Sequence, residues 1–459
     1  MIRSPGCFGR VAEWQTRWLQ VPVSFGTWGS KSPFAHTAGG SREPRRRRRS
    51  PRTAEAPAVP ANRGGKGHGP VNPPGSWPLR YPAFVVSAAE HVLIAAMGSA
   101  EDAGIPVAPE QVTPQWLSAV LMSTDPGVVV AHVDVTPIGT GQTGATFRVA
   151  ARYAAGGRDL PASFVVKLPA QDEAVRDRVA LSYRSEHAFY TEVAHTVAVP
   201  LPRCYHCAIA DDGAQFVLLL ADMAPAVQGD QILGCTVTEA RLAVTALAGL
   251  HGPRWCDPAW LEFTGTVMPM PDDAGARGLG DITVLAAQIT LEKLGPRMTP
   301  ADRDTVLESA QLIAEWLLHS PDRFSLLHGD YRIDNLLFDP DRARVTAVDW
   351  QTLAVGLPAR DVAYFIATSL QPAERAANER ALVDAYHHAL IDHGVTGYDA
   401  ETCWQDYCLG MLQVPLISTL GFAFSAATDR GDEMMLTMMH RGSQAIRELK
   451  TLELVRSRI

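Results

Sequence analysis

The sequence predicts an α+β protein in which antiparallel strands come first and helices follow. Three observations carry that expectation. The segment PIGTGQTGATF at 137–147 leads into Phe147, Val149, Ala151 and Tyr153, which alternate with Arg148, Ala150 and Arg152, the period of a strand. His328-Gly329-Asp330 is followed five residues on by Asn335, and then by a hairpin pattern that ends at Asp349. Helical periodicity marks stretches such as 172–194 and 379–394.

Composition bounds the remaining possibilities. The chain has 459 residues, 46% hydrophobic and 20% charged. At about 150 residues per domain, that suggests two or three units with one large or two medium cores. The net charge of −8 is unevenly spread: residues 1–96 carry +10 and the remaining 363 carry −18. An acidic body argues against a nucleic-acid binder, which needs a positive field. The best candidate for a membrane span, Tyr81 to Met97, is interrupted by Glu90 and His91, so no transmembrane helix and no membrane partner are expected. Seven scattered cysteines fit a reduced, cytoplasmic compartment.

Residues 1–96 have no sustained hydrophobic period and contain the run Arg45–Arg49 and a Pro/Gly-rich stretch. Such a composition buries too little apolar surface to offset ordering entropy. The segment GRVAEWQTRWLQVPVSFGTWGSKSPFAH resembles the conceptual translation of a transfer-RNA gene, and Met97 begins a sensible protein. Residues 1–96 are therefore expected to be a disordered or non-native extension.

After Met97 the elements follow in order. Thr113 as N-cap and Pro114 as first helical residue start a helix. Gly139, Gly141 and Gly144 form G-x-G-x-x-G. A dinucleotide-binding fingerprint needs a helix immediately after the glycines, and a Walker loop needs Gly-Lys-Ser/Thr; neither is present. Glycines between two antiparallel strands are instead the arrangement by which kinases fold a loop over nucleotide phosphates. The second strand, Ala162 to Leu168, carries one charge, Lys167, which is the candidate phosphate-binding lysine. Such a lysine needs a carboxylate on a nearby helix, and DEAVRDRVALSYRSEHAFYTEVA supplies one: Glu186, with Glu192 as the alternative and Glu173 too early. AQFVLLLADMAP reads as a buried strand running into a linker, where backbone groups from Leu220 to Met223, Asp222 included, would meet adenine.

The segment FSLLHGDYRIDNLLFDPDRARVTAVDW then carries the chemistry. Phosphoryl transfer needs one carboxylate to accept the proton of the attacking hydroxyl, and an amide and a second carboxylate to hold Mg²⁺ against the phosphates. Asp330, Asn335 and Asp349 fill those roles, the hairpin bringing the last two to one end of adjacent strands. His328 reads as a backbone-bonded residue that shapes the loop, Asp361 as a helix N-cap or a brace for that loop, and Asp334 and Asp339 as solvated turn residues.

HGDYRIDN with VDWQ resembles the aminoglycoside phosphotransferase and choline-kinase superfamily, and FVVKLP, SEHAFYTEV and LLLADM look most like its ecdysteroid-kinase-like branch. The resemblance covers roughly 110–450. It implies a bilobal protein-kinase-like fold, with an N-lobe of antiparallel sheet plus helix over 97–223 and a larger, mainly helical C-lobe over 224–459. It also implies ATP-dependent phosphorylation of a small-molecule hydroxyl with Mg²⁺. Asp330 would be the catalytic base, Asn335 and Asp349 the metal ligands and Lys167 the phosphate contact. Asp349-Trp350-Gln351 stands where protein kinases have Asp-Phe-Gly, and Leu220-Ala221-Asp222 where an acidic residue at 221 is more usual.

A pseudokinase scaffold is the alternative, against which the intact Lys167, Asp330, Asn335 and Asp349 set speaks. A protein kinase is disfavoured, because Asp361 follows Asp349 by only 12 residues and there is no Ala-Pro-Glu. Cys204-x-x-Cys207 lacks a second pair at zinc spacing and reads as ordinary packing. From Trp404 to Ala427 the only charge is Asp406, and DEMMLTMMH adds four methionines. That composition suits either helix-packing core or a pocket for a largely apolar alcohol. Trp404 and Tyr407, three apart, could instead contribute to an aromatic cage for choline. An aminoglycoside acceptor would need more carboxylates than this stretch offers.

Overall fold

The computed structural model describes residues 104–138, 144–319, 322–424 and 428–458. The expectations for 1–96, Gly139 and Gly141 lie outside the described residues. The first helix, α1 (Pro114–Leu121), starts as its sequence requires: Pro114 needs no amide partner, and the Thr113 hydroxyl accepts from Trp116 N at 3.1 Å. Strands β1 (Val129–Pro137), β2 (Gly144–Ala155) and β3 (Ser163–Pro169) follow. Then come α2 (Glu173–Ala188), a π turn (Phe189–Val193), β4 (Cys204–Ile209) and β5 (Phe216–Ala221). The sheet is antiparallel in the order β1-β2-β3-β5-β4. At the β2–β3 turn Gly156 and Gly157 have φ of +64° and +71°, which only glycine adopts freely, and a Cβ on Gly156 would strike the Gly127 backbone.

Period two decides what each face of this sheet does. Phe164, Val166 and Leu168 of β3, with Val217 and Leu219 of β5, pack with Trp116, Leu117, Val120 and Leu121 of α1. The alternate residues Phe216, Leu218 and Leu220 join the larger core on the other side, with Tyr183 of α2 and Phe189. Lys167 lies between Val166 and Leu168, so the pleat sends it to that second face. It sits on the central strand of the sheet, not at an edge where a lysine could turn out to solvent.

The rest of the chain is mainly helical: β6 (Val227–Gln228), α3 (Val237–His251), α4 (Ala259–Glu262), α5 (Asp273–Leu294), α6 (Pro300–Gln311) and α7 (Ile313–Leu318). Short strands β7 (Ser325–Leu327), β8 (Leu336–Phe338), β9 (Val345–Ala347) and β10 (Ala354–Gly356) carry the loops of interest. Helices α8 (Ala359–Ser369), α9 (Pro372–Asp392), α10 (Ala400–Gly410), α11 (Gln413–Phe424), α12 (Asp429–Glu448) and α13 (Thr451–Arg456) complete the chain. β8 pairs with β6 and β9, and β7 with β10. Every residue of α8 is buried, and α3, α9, α10, α11 and α12 pack around it. An antiparallel N-lobe and a larger helical C-lobe make this the expected α+β, bilobal, protein-kinase-like fold.

Three expectations need correction. Ala400–Phe424 is, by length and composition alone, apolar enough to cross a membrane, its charges being Glu401 and Asp406 near its start. In the fold 72% of its most apolar window is buried, and the chain turns at Met411 and Leu412 between α10 and α11. Asp406 is fully buried and neutralised by a bidentate pair with Arg323 at 2.7 and 2.8 Å. The Trp404–Tyr407 pair forms no open cage: Tyr407 is buried with its hydroxyl on Glu379 at 2.7 Å, and the Arg380 guanidinium already covers Trp404 at 4.8 Å. Asp334, expected to be solvated, is 6% exposed and accepts from Gln231 N at 2.7 Å and Arg332 Nη1 at 2.8 Å. Sequence position suggested a turn, and it is a turn, but α12 closes over it.

Candidate active site

Lys167 ends on two carboxylates. Its Nζ lies 2.8 Å from Glu186 Oε2 and 2.8 Å from Asp349 Oδ1. Glu186, and not Glu192 or Glu173, is the partner, because it stands near the end of α2 on the face turned to the sheet while the other two are exposed. Burial pulls the Lys167 pKa down, but Asp349 and Glu186 pull harder and hold it well above the ordinary lysine value. Burial and the nearby Asp349 raise Glu186 despite the lysine. Burial would raise Asp349 too, yet Lys167 wins and holds it low. The ammonium is therefore fixed in its charged form. Gly144 opens β2 against this lysine: a Cβ there would stand 3.5 Å from Lys167 Cε and 3.1 Å from the Leu168 carbonyl.

The loop after β7 presents Asp330. His328 is buried, and its Nε2 pairs with the Val348 carbonyl oxygen at 3.1 Å, so it shapes the loop as expected. Asp361 lies inside α8, and its buried carboxylate accepts from His328 N at 2.7 Å and Gly329 N at 3.1 Å. Of the two readings of Asp361, it is the brace. Asp330 Oδ1 accepts from the Tyr364 hydroxyl at 2.8 Å, and Oδ2 from Arg332 Nε at 3.0 Å and Asn335 Nδ2 at 3.1 Å.

The hairpin joins the other two residues. Val348 N donates to Asn335 O at 3.0 Å, so Asp349 follows directly on the register of Asn335. Asp349 has φ +70°, a left-handed position that a short polar side chain tolerates. Its neighbour anchors it: Trp350 stacks on Phe189 with centroids 3.7 Å apart, and its amide donates to Glu186 Oε1 at 3.3 Å. Asn335 Nδ2 donates to both the carbonyl and the carboxylate of Asp330, at 2.9 and 3.1 Å, which leaves its amide oxygen for other partners.

Those donors suit a hard divalent cation. Lys167, Glu186 and Asp349 together carry one surplus negative charge, Asp349 is 40% exposed, and its Oδ2 is the oxygen not paired with the lysine. Among the described residues no cluster of three or more His, Cys, Asp or Glu forms a self-sufficient metal cage. Mg²⁺ is ordinarily bound that way, through one or two protein oxygens with water and substrate phosphates completing the octahedron. The residues present fit it.

On the neighbouring strand, Leu220 pairs with Val165 and Cys204 at the end of β5. The side chain of Asp222, for which the sequence set no role, is occupied within the lobe. Its carboxylate is engaged by Arg148 Nε at 2.7 Å and Ser163 Oγ at 2.6 Å, strapping the linker to β2 and β3, and it also accepts from Ala224 N at 3.0 Å. The Ala221 amide donates to Arg203 O at 2.8 Å. What residue 222 can offer a nucleotide is its backbone. Burial would raise the Asp222 carboxyl, but these donors hold it below its ordinary value. A depressed folded-state pKa stabilises above the unfolded value of about 3.9 and stops doing so as pH falls through the folded one. Asp222→Asn is thus expected to lower the melting temperature at pH 6–7, with the gap to the native chain closing below about pH 4. An equal gap at pH 7 and pH 3, by thermal unfolding monitored with circular dichroism, would contradict this.

A family model described as the phosphotransferase enzyme family matches residues 134–400, more than half of the chain. The chain belongs to that family. The matched span includes every residue placed in the cleft above. Among curated relatives, mouse acyl-CoA dehydrogenase family member 10 is 45% identical over 62 residues, which is 13% of this chain and 6% of the relative. Human acyl-CoA dehydrogenase family member 11 is 41% identical over 64 residues, 13% of this chain and 8% of the relative. The matches thus span under a tenth of those relatives. Among solved structures, the GDP complex of wild-type aminoglycoside 2′-phosphotransferase-IIIa is 15% identical with a TM-score of 0.42, covering 72% of this chain and 98% of that one. Plasmodium vivax ethanolamine kinase is 11% identical with a TM-score of 0.42, covering 81% of this chain and 95% of that one.

Several residues of this phosphotransferase-family cleft escaped the sequence reading. Arg332 was visible two residues after Asp330, but its two carboxylate partners were not. Gln413 of α11 donates to Gly329 O at 3.0 Å, and Met434 of α12 brings its sulfur to 3.3 Å from Arg332 Nη1. Tyr364 had one available signal: it follows Asp361 by three on a helix, and so shares its face.

Proposed function

We propose that this chain transfers the terminal phosphoryl group of ATP to a hydroxyl of a small, largely apolar alcohol. The observation that carries the reading is the convergence of Lys167 and Asp349, paired at 2.8 Å, with Asn335 and Asp330, paired at 3.1 Å, through the β8–β9 hairpin. Lys167, held as a cation by Glu186 and Asp349, binds phosphate oxygens. Gly144 keeps the start of β2 low beside it. Asn335 and Asp349 would hold Mg²⁺, which supplies charge neutralisation for the phosphates when bound. Asp330 orients the acceptor hydroxyl and takes its proton, and catalysis otherwise consists of positioning.

The acceptor class is argued from what surrounds Asp330. Carboxylates beside Arg332 already have partners: Asp334 takes Arg332 at 2.8 Å and Arg430 at 3.4 Å, and Asp230 takes Arg430 at 3.7 Å. A polycationic acceptor would have to displace arginines to replace its own hydration. Met434 supplies a polarisable apolar wall at the same place. The −18 body speaks against nucleic acid as the partner, and the scattered cysteines support a reduced, cytoplasmic setting.

The test is a metabolite-extract screen with ATP and Mg²⁺, reading phosphorylated products by mass. A product bearing a phosphorylated hydroxyl on an apolar skeleton is expected, and kanamycin-like compounds are expected to be poor substrates. Phosphorylation of an aminoglycoside with kcat/KM of about 10⁴ M⁻¹s⁻¹ or above would overturn the acceptor assignment.

A further inference from the structure

An ionised carboxylate offers about four lone-pair sites, two on each oxygen. In Asp330, Oδ2 receives two donors, Arg332 Nε at 3.0 Å and Asn335 Nδ2 at 3.1 Å, and is filled. Oδ1 receives Tyr364 at 2.8 Å, its one donor among the described residues. The two oxygens are therefore unequal: the site left for an incoming hydroxyl is on Oδ1, beside the tyrosine.

Tyr364 is 1% exposed and rises from α8, the helix that also carries Asp361 one turn earlier. Asp361 holds the loop backbone through His328 N and Gly329 N. A single turn of a fully buried helix thus braces the backbone of the loop at one residue and grips its carboxylate at the next. Burial and the Asp330 charge push the Tyr364 phenol well above the ordinary tyrosine range, so it stays a hydrogen-bond donor. The grip has something to oppose, because the terminal torsion of an aspartate is broad and close to two-fold, and an ungripped carboxylate exchanges its oxygens freely.

We propose that Tyr364 is a positioning residue for phosphoryl transfer: its hydroxyl fixes Oδ1 of Asp330 as the atom that accepts the proton, with the remaining lone pair turned to the acceptor. This rests on Asp330 being the base. In the step, the acceptor O–H proton moves to Oδ1 as the acceptor oxygen bonds to the γ-phosphorus. The bond from that phosphorus to the β–γ bridging oxygen breaks, and ADP leaves with its electron pair. Neither an oxidant nor a further reactant is needed.

The variant is Tyr364→Phe, which keeps the buried ring and removes only the donor. It is measured beside Asp330→Asn and the double variant. The readouts are turnover of the acceptor found in the extract screen and, independently, hydrolysis of ATP by water, together with KM for ATP and the melting temperature. A hydrogen bond to a charged group contributes on the order of 1.5–3 kcal/mol, so kcat is expected to fall roughly 10- to 100-fold. KM for ATP should stay within about twofold and the melting temperature within a few degrees. In the Asp330→Asn background, Tyr364→Phe should change the residual rate no further, because the group it acts through is gone.

A kcat for Tyr364→Phe within twofold of native, while Asp330→Asn is strongly impaired, overturns the inference and leaves the reading of Asp330 intact. An equal loss from Tyr364→Phe in both backgrounds also overturns it, since that marks a general structural role. Full activity in Asp330→Asn would instead remove the functional reading on which the inference stands.

Discussion

Asp330→Ala is expected to give a folded chain that binds ATP but turns over roughly 10² to 10⁴ times more slowly, the range for loss of a positioned general base. The loss corresponds to about 3–5 kcal/mol of transition-state stabilisation. Binding should survive, because the phosphate-side groups Lys167, Glu186 and Asp349 hold one another without Asp330. Arg332 keeps a carboxylate, Asp334 at 2.8 Å. The buried Tyr364 hydroxyl loses its acceptor, a cost of about 1–3 kcal/mol that lowers the melting temperature without unfolding the chain. Titration calorimetry with a non-hydrolysable ATP analogue measures the first quantity and steady-state turnover the second. Near-native turnover on a verified acceptor would remove Asp330 from the mechanism.

Gly329→Ala should be the most damaging alanine change among the described glycines. Gly329 has φ +82°, and a Cβ there would run into the Thr352 carbonyl oxygen. The left-handed backbone alone costs alanine about 1–2 kcal/mol. Relief of the overlap has to move the loop off Thr352, away from Asp361 and Gln413, which hold its amides and carbonyl. Breaking that buried set brings the total to roughly 4 kcal/mol or more, a large share of the 5–15 kcal/mol by which domains are stable. The expected result is a fall of about 10 °C or more in melting temperature, with loss of turnover even where the chain still folds. A variant that melts within about 2 °C of native would show that the loop has a second arrangement available.

Much of this was legible along the chain because the signals are local. Alternation marked β2, β3 read as an apolar strand carrying one charge, and the period of a strand puts Lys167 on a face apart from Phe164, Val166 and Leu168. Thr113 and Pro114 marked the start of α1. The spacing from Asp330 to Asn335, and the hairpin that delivers Asp349, are short-range geometry that a few residues dictate. Contacts made at long separation left no such trace. Tyr364 meets Asp330 across 34 residues, Gln413 meets Gly329 across 84 and Met434 meets Arg332 across 102. Asp334 read as a solvated turn residue from its place between two strands; Arg430 of α12 and the Gln231 amide, brought in from far along the chain, pair with it. Trp404 and Tyr407 do share a helix face, as their spacing implied, but that face is covered by Arg380 and Glu379 of α9. Local pattern states which residues are available to one another along a strand or a helix. Whether a given face meets solvent, a substrate or another helix is decided by packing, and packing depends on the whole chain at once.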